Sequence, residues 1–242
     1  FNGGVIVQSS PATGTIIDDD SGQITVTPTH GKEENTEPVV FTFAFPAGVT
    51  SITDTRIDFT LAGSTADAGD YQPPVNNYVT IPAGQSSVTL TIPVKNDDII
   101  EGTETIVLTP SPIIGNPSVT INTHAVTAQI EDNDTGTITL TGPSSITEGD
   151  NGVSTIINYT IKLDKAIQTP IQLSYRTADI TAFAGEDYDG VLDTYTFLPG
   201  LNEQEIIVPV TIRGDRKIEA DEKFRLILNP LLQDFGGRLT IS

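Results

Sequence analysis

Apolar and polar residues alternate along most of this chain. Val39-Val40-Phe41-Thr42-Phe43-Ala44-Phe45 puts Val39, Phe41, Phe43 and Phe45 on one face. Val88, Leu90, Ile92 and Val94 share a face in Val88-Thr89-Leu90-Thr91-Ile92-Pro93-Val94. Thr155–Ile161 and Ile206–Ile212 repeat the pattern in the second half. A period of two, with Val, Ile and Thr plentiful, predicts half-buried strands. The 21 Gly and 16 Pro supply the turns between them. No helical stripe of useful length competes with this reading. The expected class is all-β, built from antiparallel strands.

The strands belong to a long internal repeat. Ile16-Ile17-Asp18-Asp19-Asp20 runs into Ser21-Gly22-Gln23-Ile24-Thr25, and Ile130-Glu131-Asp132-Asn133-Asp134 runs into Thr135-Gly136-Thr137-Ile138-Thr139. The offset, Asp20 to Asp134, is 114 residues, and it holds without a gap from Val5/Val119 to Glu34/Glu148. A period of that length is a domain, not a solenoid turn. Each repeat has about seven strand signals, which predicts two tandem seven-stranded immunoglobulin-like antiparallel β-sandwiches. Residues 1–20 read as the last strand of a preceding repeat, 21–134 as repeat 1, and 135–242 as repeat 2 without its final strand. An unmatched strand beside an unmatched edge favours exchange. Two arrangements answer this: residues 3–20 of one copy complete repeat 2 of another, giving a strand-exchanged homo-oligomer, or they fray or pack on their own repeat 1.

Composition narrows the function. The chain has 242 residues, 32 acidic and 12 basic, with a formal charge of −20. Phosphate backbones and anionic membrane surfaces would be repelled, so nucleic acid is not an expected partner. Cysteine is absent, so no disulfide stiffens the fold, and a bound metal is the natural substitute. No apolar run reaches the length of a membrane span, so no membrane insertion is expected. The sequence starts at Phe1 with neither a signal peptide nor an initiator Met, and reads as a fragment of something longer.

The acidic residues fall into four groupings that recur in order in both repeats. The first is Glu34 and Glu148, after the opening strand. The second is an Asp-Tyr pair, Asp70-Tyr71 and Asp187-Tyr188. The third is a strand-end loop, Asn96-Asp97-Asp98-Ile99-Ile100-Glu101-Gly102-Thr103-Glu104 against Gly214-Asp215-Arg216-Lys217-Ile218-Glu219-Ala220-Asp221-Glu222. The fourth is the terminal triplet, Asp18-Asp19-Asp20 and Asp132-Asn133-Asp134. One Asp/Asn cluster at a strand end ordinarily just caps a turn. Adjacent carboxylates repel unless a positive charge sits between them, and four recurring sets suggest a hard cation held where domains meet. The spacing is not that of an EF-hand, because a strand follows Gly136 and the loop lacks its closing Glu. His30 and His124 stand outside any motif. There is no Trp platform for sugars, no phosphate loop, no nucleophile elbow and no zinc spacing, so no enzyme is expected.

In this order the motifs resemble the Calx-beta domain: Glu148-Gly149, Thr181-Ala182-Phe183-Ala184-Gly185-Glu186-Asp187-Tyr188, then Asp97-Asp98-Ile99-Ile100-Glu101-Gly102-Thr103-Glu104, then Ile130-Glu131-Asp132-Asn133-Asp134. The resemblance covers nearly the whole chain. It implies Ca²⁺ as cofactor, bound in loops at one end of each sandwich. In repeat 1 it implies Glu34, Asp70, Asn96, Asp97, Ile99 (through its carbonyl), Glu101, Glu104, Asp132, Asn133 and Asp134 as ligands. Asn35 stands where the family has glycine. In repeat 2 it implies Glu148, Asp187, Asp215, Glu219 and Glu222; strand exchange would add Asp18, Asp19 and Asp20 of another copy as the triplet. Gly214 replaces an acidic ligand there and Arg216 and Lys217 add positive charge, so a weak or empty site is expected.

Three functions fit. One is a calcium-stiffened repeat in an extracellular or cell-surface protein, a bacterial adhesin, with neighbouring repeats of the same polypeptide as partners. Another is a Ca²⁺-sensing module of a membrane transporter. The last is an accessory module of a secreted hydrolase.

Overall fold

The computed structural model describes residues 13–150 and 152–242. The first sandwich uses β1 (Gly22–Thr29), β2 (Gly31–Lys32), β3 (Val39–Ala44), β4 (Thr55–Leu61), β5 (Tyr78–Ile81), β6 (Ser87–Ile92), β7 (Ile99–Ile100), β8 (Glu104–Pro110), β9 (Val119–Ile121) and β10 (Val126–Glu131). The second uses β11 (Gly136–Thr141), β12 (Thr155–Leu163), β13 (Ala166–Ile167), β14 (Ile171–Asp179), β15 (Leu192–Phe197), β16 (Gln204–Ile212), β17 (Phe224–Leu228) and β18 (Leu239–Ile241). The fold is all-β: the one helical turn among the described residues is a 3₁₀ turn, Glu34–Thr36. Among the described residues no helix is long and apolar enough to cross a membrane.

In the first sandwich one sheet has the order β6-β3-β1-β9 and the other β2-β10-β8-β4-β5. The alternation seen in the sequence decides what faces inward. Val39, Phe41 and Phe43 are fully buried and Phe45 nearly so, while Thr42 and Ala44 lie on the outer face. Each such side chain contributes about 1.5–3 kcal/mol by leaving water. The opening strand changes sheets at His30. β1 pairs antiparallel with β3, and β2 pairs parallel with β10. The His30 Nδ1 accepts the Gln129 N–H at 2.9 Å and pins that crossover, a structural role for a histidine that has no motif around it.

The second sandwich repeats this plan with fewer strands, β16-β12-β11-β18 facing β15-β14-β17. Register equates β17 with β8, since Leu226 pairs with Thr177 of β14 as Leu108 pairs with Leu61 of β4. Among the described residues no strand lies on the far side of β17, where β10 covers β8. Residues 13–20 are exposed and form no strand, and residues 3–12 of the expected exchange strand lie outside the described residues.

The two sandwiches are stitched together at the end of β10. β7 pairs in parallel with β13, and Gln168 N–H donates to the Ile100 carbonyl at 3.0 Å. Ile100 belongs by sequence to repeat 1, yet it is fully buried in the hydrophobic core of the second sandwich with Ile138, Leu163 and Ile167. Gly136 makes room for it, because a Cβ there would collide with Ile100 Cδ1.

Candidate metal centre

Strand pleat and two tight turns gather the acidic side chains at the junction. Past β10 the alternation continues, so Asp132 and Asp134 point inward and are buried while Asn133 faces water. The same alternation runs through Gly31, Lys32 and Glu33, and it buries Glu33, leaving 2% of its surface exposed. The oxygens of Glu33, Asp132 and Asp134 lie within 4.8 Å of one another. So do those of Asp70, Glu101 and Glu104, all buried. A backbone link joins the two groups, since Glu101 N–H donates to Asp132 Oδ2 at 3.0 Å. Asp97 sits beside both Glu33 and Glu101 and turns its own loop by accepting the Ile99 N–H at 2.8 Å.

These carboxylates are short of partners. Glu33 Oε2, Glu104 Oε2 and Asp134 Oδ2 are buried and receive no hydrogen bond. Burial first, and then the neighbouring carboxylates, push Glu33 up to about 8, Glu101 to about 9 and Glu104 to about 7. Orphaned buried acceptors are costly, and a cation that receives several of them at once removes the cost. The donors are all oxygen, without His or Cys, which suits a hard ion taking six to eight oxygens rather than zinc or copper. Calcium is the cofactor that this donor set fits.

The second sandwich lends its own positive and polar groups. Lys165 Nζ donates to Asp134 Oδ1 at 2.5 Å and lies 3.6 Å from Asp98. Arg238 Nε lies 3.2 Å from Asp132 Oδ2, and its other nitrogen donates to the Asp132 carbonyl at 2.6 Å. Gln168 Nε2 donates to Glu104 Oε1 at 2.5 Å.

The structure thus brings together Asp70, Asp97, Glu101, Glu104, Asp132 and Asp134. It replaces one expected residue: the cluster takes Glu33, and Glu34 is turned outward. The cause is the 3₁₀ turn, in which Asn35 adopts φ 60° and so reproduces the glycine-like conformation of the motif. Glu34 lines a cleft of about 320 Å³ with Lys32, Glu131, Asp132 and Asn133. Asn96 is exposed, and its side chain donates to the Asp97 carbonyl at 3.1 Å. Ile99 is held by its N–H on Asp97. The in-out alternation after Gly31 was the signal for Glu33. Lys165, Gln168 and Arg238 carry no local signal.

The corresponding loops of the second sandwich are looser. The oxygens of Asp187, Glu219 and Glu222 lie within 4.8 Å of one another, with both glutamates exposed. Lys217 lies 3.1 Å from Asp215 and 3.8 Å from Glu219, so one ammonium already offsets part of their charge. Glu148 is exposed and its charge reaches Glu222. At the position of Glu33 stands Thr147. Gly214 packs against the Gly149 carbonyl, which leaves no room for a side chain. Asp18, Asp19 and Asp20 meet no cluster in the single chain, and the Asp18 carboxylate accepts the Asp20 N–H at 3.2 Å.

A family model described as the Calx-beta domain matches residues 17–134 and 131–234. The chain belongs to the Calx-beta family. Its two sandwiches are tandem Calx-beta domains. The crystal structure of CBD12 from CALX1.2 is 18% identical, with a TM-score of 0.38, covering 86% of this chain and 80% of that one. The calcium binding domain CBD12 of CALX1.1 is 19% identical with a TM-score of 0.34, covering 86% and 77%. Among curated proteins, adhesion G-protein coupled receptor V1 of Danio rerio is 28% identical over 177 residues. That match takes in 72% of this Calx-beta chain and 3% of the receptor, so the chain spans a small part of that relative's length.

Proposed function

We propose that this Calx-beta pair is a calcium-binding spacer that fixes the angle between consecutive domains of an extracellular multidomain protein with an adhesive role. The observation that carries the reading is the trio of orphaned buried oxygens, on Glu33, Glu104 and Asp134, at the interdomain junction. Ca²⁺ held there draws the β7 loop and the 132–134 triplet together. The same two segments carry Ile100, Lys165 and Arg238 contacts to the second sandwich, so ion and interdomain angle are coupled. Without the ion, mutual repulsion loosens the loop and with it the hinge. The likeness to an adhesion receptor of which this chain would be a short stretch supports the extracellular, adhesive setting. A module built only to bind an ion and hold an angle performs no catalysis.

The test combines calorimetric titration with small-angle scattering on the 242-residue chain. Calcium should bind with proton release, and chelator should lengthen the distribution of particle dimensions. Binding at a hundredfold excess over Kd adds about 2.7 kcal/mol to the folded state. Equal melting temperatures and equal scattering with calcium and with chelator would overturn the proposal.

A further inference from the structure

Both sandwiches carry the same basic latch on the loop that presents the Asp-Tyr aspartate. We infer that Lys95 and Arg213 are positioning residues for that loop and, resting on the calcium-binding role proposed for the junction, that Lys95 positions the ligand Asp70. The two residues are equivalent. Each follows the residue that bridges to the tyrosine of the pair, Val94 to Tyr71 and Ile212 to Tyr188. Lys95 N–H donates to the Asp70 carbonyl and Arg213 N–H to the Asp187 carbonyl, both at 2.8 Å. Their side chains then reach back over the loop. Lys95 Nζ donates to the Ala68 carbonyl, two residues before Asp70. A guanidinium nitrogen of Arg213 donates to the Gly185 carbonyl, two residues before Asp187, at 2.5 Å. A lysine and an arginine thus grip the same two points of one loop, in domains whose acidic clusters differ in burial.

Asp70 is the member of its cluster that needs such a hold. Glu101 directly follows β7 and Glu104 begins β8, whereas Asp70 comes from the irregular segment between β4 and β5. Its carboxylate is buried within 4.8 Å of those of Glu101 and Glu104, and like charges at that range push it outward. Inside the loop, Asp70 Oδ2 accepts the Asp67 N–H at 2.5 Å and Asp67 Oδ1 accepts the Gly69 N–H at 2.5 Å. In the second sandwich Asp187 Oδ2 accepts the Phe183 N–H at 2.7 Å. These bonds shape the turn but tie it to nothing else. The tie comes from the chain leaving β6. Gln72 N–H donates to the Pro93 carbonyl at 2.9 Å just after the aspartate, and Lys95 holds the Asp70 and Ala68 carbonyls before it.

The chemistry is that of a latch rather than a counter-charge. In a chain with a formal charge of −20, carboxylates are the common partners for an exposed lysine. Among the described residues Lys95 makes no ion pair with one, and its ammonium goes to a neutral carbonyl. Arg213 makes the same carbonyl contact and adds a bond from Nε to Asp189 Oδ1 at 2.8 Å. The two roles predict opposite signs. A positive charge near the site repels calcium, so its removal alone would tighten binding. A latch holds Asp70 ready for the ion, so its removal adds an ordering cost and weakens binding. Lys95 is exposed, so solvent and salt screen the first effect and the second decides the outcome.

Hydrogen exchange and calorimetry on the 242-residue chain test this with two variants. Lys95→Met keeps the apolar stem and drops the ammonium, and Lys95→Arg copies the second sandwich. In chelator, Lys95→Met should speed exchange of the Asp67, Gly69 and Lys95 amides about tenfold while the amides of β3 and β8 exchange as in wild type. Its Kd for calcium should rise about tenfold. Lys95→Arg should restore both. Unchanged loop exchange in Lys95→Met, faster exchange across the whole sandwich, a Kd equal to or below that of wild type, or an arginine variant no better than the methionine one would each overturn the inference. A wild type that binds no calcium sinks the calcium-binding role alone, because exchange in chelator still judges the latch.

Discussion

Replacing Ile100 by Ala should destabilise the second sandwich although the residue lies in a loop of the first. Ile100 is fully buried among Ile138, Leu163, Ile167 and Leu239. The substitution removes the three carbons beyond Cβ, worth about 0.8 kcal/mol each in transfer, or about 2.4 kcal/mol. The pocket is framed by β-sheet backbone and cannot collapse fully, so a cavity contribution raises the loss to about 3–4 kcal/mol. For a domain of this size that lowers the melting temperature by roughly 12 °C or more. Tyrosine fluorescence in a urea series reports it well. Tyr159, Tyr175, Tyr188 and Tyr195 are in the second sandwich, against Tyr71 and Tyr78 in the first. The tyrosine-rich transition should move to lower urea, and calcium affinity should fall with it, because β7 is part of the ligand loop. If only the first sandwich loses stability, or the loss stays under about 1 kcal/mol, Ile100 is not a wedge between the domains.

Two further predictions concern the carboxylates. Glu33→Gln should weaken calcium binding about tenfold or more, since ligand charge sets affinity and a tenfold step is only 1.4 kcal/mol. Glu34→Gln should change it little, and calorimetry of the pair would expose the reasoning if the effects were reversed. In chelator, stability should fall between pH 5 and pH 9. Glu33, Glu101 and Glu104 have folded-state pKa values raised by burial, to about 8, 9 and 7. The folded chain holds protons that the unfolded chain releases from about pH 4.5, so this stability is complete below that pH and is lost as pH rises through the folded values. Calcium replaces those protons, so the melting-temperature gap between calcium and chelator should widen with pH. A chelated protein that grows more stable over this range would contradict the assignment.

Local chemistry was enough to expose the strands and the acidic loops. The period of two is a covalent property of extended backbone, so Val39, Phe41, Phe43 and Phe45 could be assigned to one buried face before any packing was known. A domain-length repeat likewise exposed Asp70, Glu101, Glu104, Asp132 and Asp134 as equivalents of Asp187, Glu219, Glu222 and the earlier triplet. The choice between Glu33 and Glu34 was harder, because it turns on one residue of phase at a turn where Asn35 leaves the extended conformation.

The junction itself was decided only in three dimensions. Nothing near Lys165, Gln168 or Arg238 in sequence marks them as companions of carboxylates between 31 and 106 residues away. Their roles depend on where the second sandwich docks, and at that junction β7 pairs with β13 while Ile100 enters the neighbouring core past a glycine. The sequence by itself determined the strands, the repeat and the presence of a hard-cation donor set, because each follows from short-range periodicity or composition. The tertiary structure decided which oxygens are buried without partners and which cations answer them, because burial and charge pairing are sums over groups that the chain order keeps apart.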